Sequence, residues 1–278
     1  MSSVLSVTRD LLREAASRKW FLGLGIGVTL TLLTLGLSLR MDVVDGALAG
    51  VRLFGTALDG DIRAVDVALR PVFMAASALV FYGGTLFMIV ACADFAPSLL
   101  SPGRIEHLLS LPIRRWELLA GTYLGVLVLS LLCAVYGAGG LVVLLGIKTG
   151  VWTTGPLVAA LLATINFATV YAAMLCVAVF VRSAAVSAGA GMALYVAGII
   201  AGRRSDVASL FEEGSGRDVF EAVTLVFPRI SSLGSFAIDL AGGREIVAAA
   251  LASLLAGFVV FSLGVLSVSA WHFEQKDF

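Results

Sequence analysis

LLAGTYLGVLVLSLLCAVYGAGGLVVLLGI, residues Leu118–Ile147, is thirty consecutive residues without a charge. As a helix rising 1.5 Å per residue it would reach about 45 Å, and a bilayer's hydrocarbon core of about 30 Å needs only about 20 residues. Directly before it stands a short charged segment, Ser101-Pro102-Gly103-Arg104-Ile105-Glu106-His107-Leu108-Leu109-Ser110-Leu111-Pro112-Ile113-Arg114-Arg115-Trp116-Glu117. On the far side of that segment Val72 to Ala93 is charge-free again. The same pattern recurs at Trp20 to Leu39, Leu157 to Val181, Ser183 to Gly202 and Ile246 to Trp271. With 59% apolar residues, 14% charged and a mean hydropathy of +1.01, the chain reads as an integral membrane protein. A lipid-embedded barrel would show alternating ten-residue segments, whereas unbroken apolar runs fit helices, which satisfy their own backbone. The predicted fold is therefore all-α: six transmembrane helices at 20–39, 72–93, 118–147, 157–181, 183–202 and 246–271, within one domain over 1–278.

Residues 2–19 place Val4, Val7, Leu11, Leu12, Ala15 and Ala16 on one helical face and Arg9, Asp10, Arg13, Glu14, Arg18 and Lys19 on the other. That pattern suits an interfacial helix, with a solvated helix preceding the first span as the alternative. No small-x-small site follows the first apolar run, so a retained span is expected there, not a cleaved signal peptide. Basic residues crowd before the first span and at Arg104, Arg114 and Arg115, while Met41 to Arg70 holds five Asp against three Arg. By the positive-inside rule both termini and the charged segment are placed in the cytoplasm. Arg203, Arg204, Arg217, Arg229 and Arg244 stand against this orientation, since an even number of spans puts them outside. Val219, Phe220, Val223, Val226 and Phe227 repeat at helical spacing before Pro228. The 203–245 segment is thus expected to include an amphipathic helix at the outer leaflet, either a cap or a gate.

Catalytic chemistry finds no footing. Cys92, Cys133 and Cys176 each lie singly within a span, and the two His, His107 and His272, lack further ligands at usable spacing. No phosphate loop can be built on Lys19, Lys148 or Lys276, so ATP, if used, is hydrolysed on another chain. Glu212-Glu213-Gly214-Ser215-Gly216-Arg217 fits a Glu-Glu-x-x-x-Arg protease pattern, but the intramembrane histidines such an enzyme needs are missing. Charges are absent from the spans. Asn166, Thr164, Thr169 and Tyr171 give the fourth its one concentrated polar patch, read either as helix-to-helix hydrogen bonding or, at Asn166, Thr169 and Tyr171, as part of a translocation path. Gly23 with Gly27, Gly121 with Gly125 and Gly198 with Gly202 permit close helix packing, a dimer seam included.

Asp94 to Gly125 resembles the coupling region of type-2 ATP-binding-cassette (ABC) exporter permeases: a Gly introducing a short leucine-rich cytoplasmic helix, then Pro, an apolar residue, a polar residue, Arg, and a span with Leu-Leu and Gly. The matching positions are Gly103, Leu108, Leu109, Pro112, Ile113, Arg115, Leu118, Leu119, Gly121 and Gly125; Arg104, Ser98, Ser101 and Thr122 depart from the pattern. Residues 2–19 resemble the family's elbow helix, and Phe273-Glu274-Gln275-Lys276-Asp277-Phe278 resembles its C-terminal finish. The resemblance implies a half-transporter permease subunit, non-catalytic and an exporter. It would pair with a second copy or a related permease and with two cytoplasmic ABC ATPases that carry the ATP and Mg, while this chain holds no cofactor.

ATPase docking is expected at Gly103, Glu106, Leu108, Leu109, Pro112, Arg114 and Arg115, with Ser101 capping one short helix and Pro112 starting the next. The alternatives are an ordinary amphipathic loop helix whose Arg114 and Arg115 reach lipid phosphates, and a non-transporting anchor or mechanical transmitter that relays ATPase motion to an accessory extracytoplasmic protein. Charge-free spans lean toward an amphipathic or lipid-like cargo. The expected setting is a lipid bilayer, a bacterial inner (plasma) membrane, and no nucleic-acid partner is expected.

Overall fold

The computed structural model describes residues 3–275, apart from Arg18, Asp45, Gly46, Phe54, Gly55, 60–62, Pro102, Arg104, 107–109, Leu111, Pro112, Glu212 and Glu213. Helix α1 (Ser3–Ser17) leads into α2 (Lys19–Ser38). Then come α3 (Val65–Ala78), a π-helical turn (Leu79–Gly83), α4 (Gly84–Cys92) and α5 (Phe95–Leu99), which form one interrupted run. Three long helices follow: α6 (Arg115–Thr149), α7 (Gly155–Val181) and α8 (Ala184–Gly202). Short helices α9 (Arg204–Ala208), α10 (Ser215–Val226) and α11 (Ile230–Ala241) precede the last, α12 (Ala248–Gln275).

Among the described residues five helical runs are long and apolar enough to cross a membrane: Leu69–Leu99, α6, α7, α8 and α12. The pair α10 and α11, bent by 62° at Phe227 to Arg229, would make a sixth if counted as one. The chain has the build of a multi-pass membrane protein. The stretches expected at 72–93, 118–147, 157–181, 183–202 and 246–271 each fall on one of the five runs, and 20–39 falls on α2. The bundle is helical throughout. Outside it lies a small antiparallel sheet, in which β1 (Leu39–Val44) pairs with β2 (Ala47–Leu53), and β2 pairs also with β3 (Thr56–Asp59) and β4 (Arg63–Ala64). Strands of two to seven residues are too short for a readable alternation, so the sequence did not announce them.

Two ends of the bundle are distinct. At one, called the handle end, Arg115 at the start of α6 meets Phe273 and Glu274 near the end of α12, and Phe180 of α7 stacks on His272 at 4.0 Å. At the other, the sheet end, Lys148 of α6 donates to the Gly36 carbonyl of α2, and Gly155 at the start of α7 backs onto Ala241. Helix α11 begins beside the sheet-end terminus of α8, where Ser231 and Ser232 donate to the Ile199 and Gly202 carbonyls at 2.9 and 3.1 Å. It finishes at Ala241 against Gly155, also at the sheet end. Between those points Ile230, Leu233 and Ala237 are fully buried against the bundle. The amphipathic helix expected on the 203–245 segment is α10, and the helix that dips into the bundle is the next one, α11.

Helix α7 is by far the most buried of the five runs and packs on α6, α8, α11 and α12. Ala159, Ala160, Ala163, Ala172 and Ala178 remove bulk from its surface, which lets those neighbours approach closely. Helix α1 packs much of its apolar face on protein. Val7, Leu11 and Ala15 are buried against α6, where Gly121 and Gly125 form a notch, and Thr8 Oγ1 donates to the Gly121 carbonyl at 3.0 Å. A Cβ on Gly121 would stand 2.6 Å from Val7 Cβ and 3.0 Å from the Val4 carbonyl oxygen. This glycine pair therefore seats α1 and is not free for a dimer seam, whereas nothing lies within 4 Å of a Cβ at Gly23 or Gly27. Overpacking of a tight contact costs about 1 to 3 kcal/mol. Gly121→Val should lower the unfolding midpoint of the purified protein accordingly, and Gly23→Val should leave it unchanged; equal midpoints would refute the α1 seat.

Candidate functional site

The charged segment between α5 and α6 sits on an apolar floor. Leu99, Leu100 and Ile105 are buried with Val7 of α1, Leu118 and Leu119 of α6, Leu175, Ala178 and Val179 of α7 and Phe273 of α12. Ile113 packs on the same cluster. Backbone bonds from Ile105 N–H to Ser101 O and from Ser110 N–H to Glu106 O, both 3.1 Å, mark helical turns within the segment. Gly103, at φ +80°, takes the left-handed conformation that glycine adopts without strain. Of the seven residues assigned to docking, Leu108, Leu109 and Pro112 lie outside the described residues. Gly103, Glu106 and Arg114 are exposed, as is Trp116.

Two local expectations change, while Ser101, expected as a cap, donates its hydroxyl to the Ser98 carbonyl at 2.8 Å and accepts the Ile105 N–H at its own carbonyl. The following helix begins at Arg115, not at Pro112, because Glu117 reaches back to accept the Arg114 N–H at 2.9 Å and fixes the start there. Arg115, expected to face a partner, is tied to its own chain as well: its Nη1 donates to the carbonyls of Phe273 and Glu274 at 3.2 and 3.1 Å. Those are among the last carbonyls of α12, which lack partners within their own helix and carry its negative dipole end. A surface cavity of about 500 Å³, lined by Ile113, Arg114, Arg115, Trp116 and Glu274, opens beside this clamp.

The polar patch of α7 is brought together with residues that sequence reasoning passed over. Asn166 Nδ2 donates to Thr85 Oγ1 at 3.0 Å, and Thr85 Oγ1 donates to the Phe81 carbonyl at 2.6 Å. Ser262 of α12 lies 3.0 Å from Thr169 Oγ1, as donor. Tyr171 is fully buried, with its ring near those of Tyr123 and Phe167. Asn166 and Thr169 are thus taken up in joining α7 to α4 and α12; Asn166 Oδ1 and the Tyr171 hydroxyl are buried without a hydrogen-bond partner among the described residues. Thr85 and Ser262 are single hydroxyls in apolar runs, a pattern too common to stand out; the Gly83-Gly84 pair beside Thr85 was the one available signal.

None of Asn166, Thr169 and Tyr171 lines the neighbouring cavity of about 340 Å³, which opens between α2, the π turn, α4, α6 and α7. Its wall is apolar apart from such groups as Thr85, Ser130, Cys133 and Thr164. Among the described residues no group of three His, Cys, Asp or Glu side chains could hold a metal ion.

No protein-family model and no curated protein matches the chain. Its chemistry therefore has to be read from the handle and the buried patch. Interhelical hydrogen bonds in membrane bundles are worth about 0.6 kcal/mol on average and about 1.7 at most. A double-mutant cycle of Asn166→Leu with Thr85→Val, read by reversible unfolding in micelles, should give a coupling energy in that range. A coupling of zero would mean that the bond does not join the two helices.

Proposed function

We propose that the chain is the transmembrane permease subunit of an ABC transporter, an exporter driven by separate cytoplasmic ATPase subunits. The observation that carries this reading is the seating of the handle. Its exposed edge, with Glu106, Arg114 and Trp116, stands over one hydrophobic cluster to which α1, α5, α6, α7 and α12 all contribute. A push on that edge would reach five helices at once and would not be absorbed by slack, and Arg115 would pass it directly to the end of α12.

In this reading the six spans are α2, the α3 to α5 run, α6, α7, α8 and α12. Helix α11, with both ends at the sheet end, is re-entrant and leaves the count even. Both termini then lie with the handle in the cytoplasm of a bacterial inner membrane, where the basic residues at Arg9, Arg13 and Arg114 favour them. Helix α1 is the elbow helix, the handle is the coupling helix, and Leu108, Leu109 and Pro112 belong to its docking face. A second copy or a related permease completes the transporter, and ATP with Mg is held by the ATPases.

One observation favours the second reading, a mechanical transmitter acting on an extracytoplasmic partner: the polar residues assigned to a path, Asn166 and Thr169, are occupied in joining helices.

The deciding experiment is purification in nanodiscs with the ABC ATPase encoded beside this chain, with subunits counted by native mass. The wild type should give a two-plus-two complex. A Glu106→Ala, Leu109→Ala, Arg114→Ala variant should bind at least about thirtyfold more weakly, as loss of interface anchors does, with an unchanged unfolding midpoint. A wild type that captures no ATPase, or a variant that captures it equally well, would overturn the docking assignment.

A further inference from the structure

We infer that the bend between α10 and α11 carries a binding site for an acyl-chain anion, that is, a single apolar tail ending in a carboxylate or phosphate. The site holds whether the chain transports or only transmits, since it depends on neither the handle nor an ATPase.

The site is a cavity of about 570 Å³ between the α10–α11 bend and the first half of α12. Phe227, Arg229, Phe236, Leu254, Gly257 and Phe261 are among its walls. Arg229 stands at the bend itself, one residue after Pro228, whose ring fixes its own backbone and ends the helical path of α10. The other arginines that flank the bend are already engaged. Arg217 holds Glu221 at 3.0 Å, and Arg244 holds Asp239 at 2.9 Å. The Arg229 side chain is exposed, has no hydrogen bond or ion pair among the described residues, and stands at the edge of the cavity. An exposed guanidinium at the rim of a half-open space that Phe227, Phe236 and Phe261 help to wall offers charge-assisted hydrogen bonds to an anion and nothing comparable to a neutral or cationic ligand.

The shape fits a tail. Along α12 the wall runs from Ala250 to Phe261, eleven helical steps or about 16 Å, close to half of the hydrocarbon thickness of a bilayer. Head at Arg229 and chain alongside Leu254 and Phe261 would place such a ligand within one leaflet, parallel to its lipids. Gly257 keeps the middle of the wall bare: nothing lies within 4 Å of a Cβ built there. Substitution at Gly257 therefore fills the cavity without pressing on the rest of the fold.

The test uses the full chain in neutral-lipid nanodiscs with spin-labelled palmitate as the probe. Wild type should bind it saturably, palmitate should displace it and hexadecanol of the same chain length should not. Arg229→Gln should weaken binding about tenfold, the share of a charge-assisted hydrogen bond, and Arg229→Lys should recover part of it. Gly257→Leu should abolish binding while the unfolding midpoint stays at the wild-type value. Displacement by phosphatidylglycerol in the nanodisc would name a membrane lipid as the natural source of the anion, and displacement by free palmitate alone would name a soluble amphiphile. Equal binding by wild type and Arg229→Gln, equal competition by hexadecanol, or disulfide formation between two copies of Gly257→Cys in place of probe uptake would overturn the proposal.

Discussion

Helix α7 is apolar around nearly its whole circumference, and the fold is arranged to surround it. Apolarity alone does not put it there, since α6 and α12 are at least as apolar and stay far less buried; what sets α7 apart is the small residues that let its neighbours close in. Its alanines set how near they come, and its few polar groups set the rotation at which they arrive. Asn166 accepts only one azimuth for α4, because its amide must meet Thr85, and Thr169 does the same for α12 through Ser262. Because these groups are buried in apolar surroundings, each of these bonds is an obligation more than a bonus, since the unpaired alternative leaves a desolvated polar atom.

From that axis the molecule divides into two regions of different character. At the handle end, buried apolar residues from near both ends of the sequence, Val7 and Phe273, and from its middle converge on one cluster, so the exposed charged segment is fixed at its base. At the sheet end the connections are long, carry most of the acidic residues, and include α11, whose two ends both contact that end of the bundle.

The spans were legible because charge is so costly in hydrocarbon that a run of about 20 residues without any is itself the mark of a segment kept out of water. Even the Ala- and Gly-rich run at 183–202 proved to be a helix, α8. What stayed hidden depends on pairings across the chain. Arg115 looks like an exposed cation in sequence; that it meets the carbonyls of Phe273 and Glu274 requires knowing that α6 and α12 end together. Gly121 and Gly125 form a common spacing, and only the position of α1 shows which surface uses it. Helix α11 escaped notice because Ile230 to Ala241 is too short to span and too apolar to look like a loop. The π turn at Leu79–Gly83 leaves no periodic trace at all, since one added residue within an apolar run changes no pattern.

The 35 residues of α6 make a rod of about 52 Å, against a hydrocarbon layer of about 30 Å. Its charge-free part alone, about 45 Å, would need a tilt of nearly 50° to hide in that layer, more than the 40° at the top of the usual range for spanning helices. Some apolar length must therefore stand among the headgroups, and at the handle end α1 lies over the turns around Gly121 and Gly125. The N-terminal helix is thus a sheath: by lending its apolar face to α6 and turning Arg9, Asp10 and Arg13 outward, it covers the first turns of an over-long apolar rod with protein instead of leaving them to the surroundings.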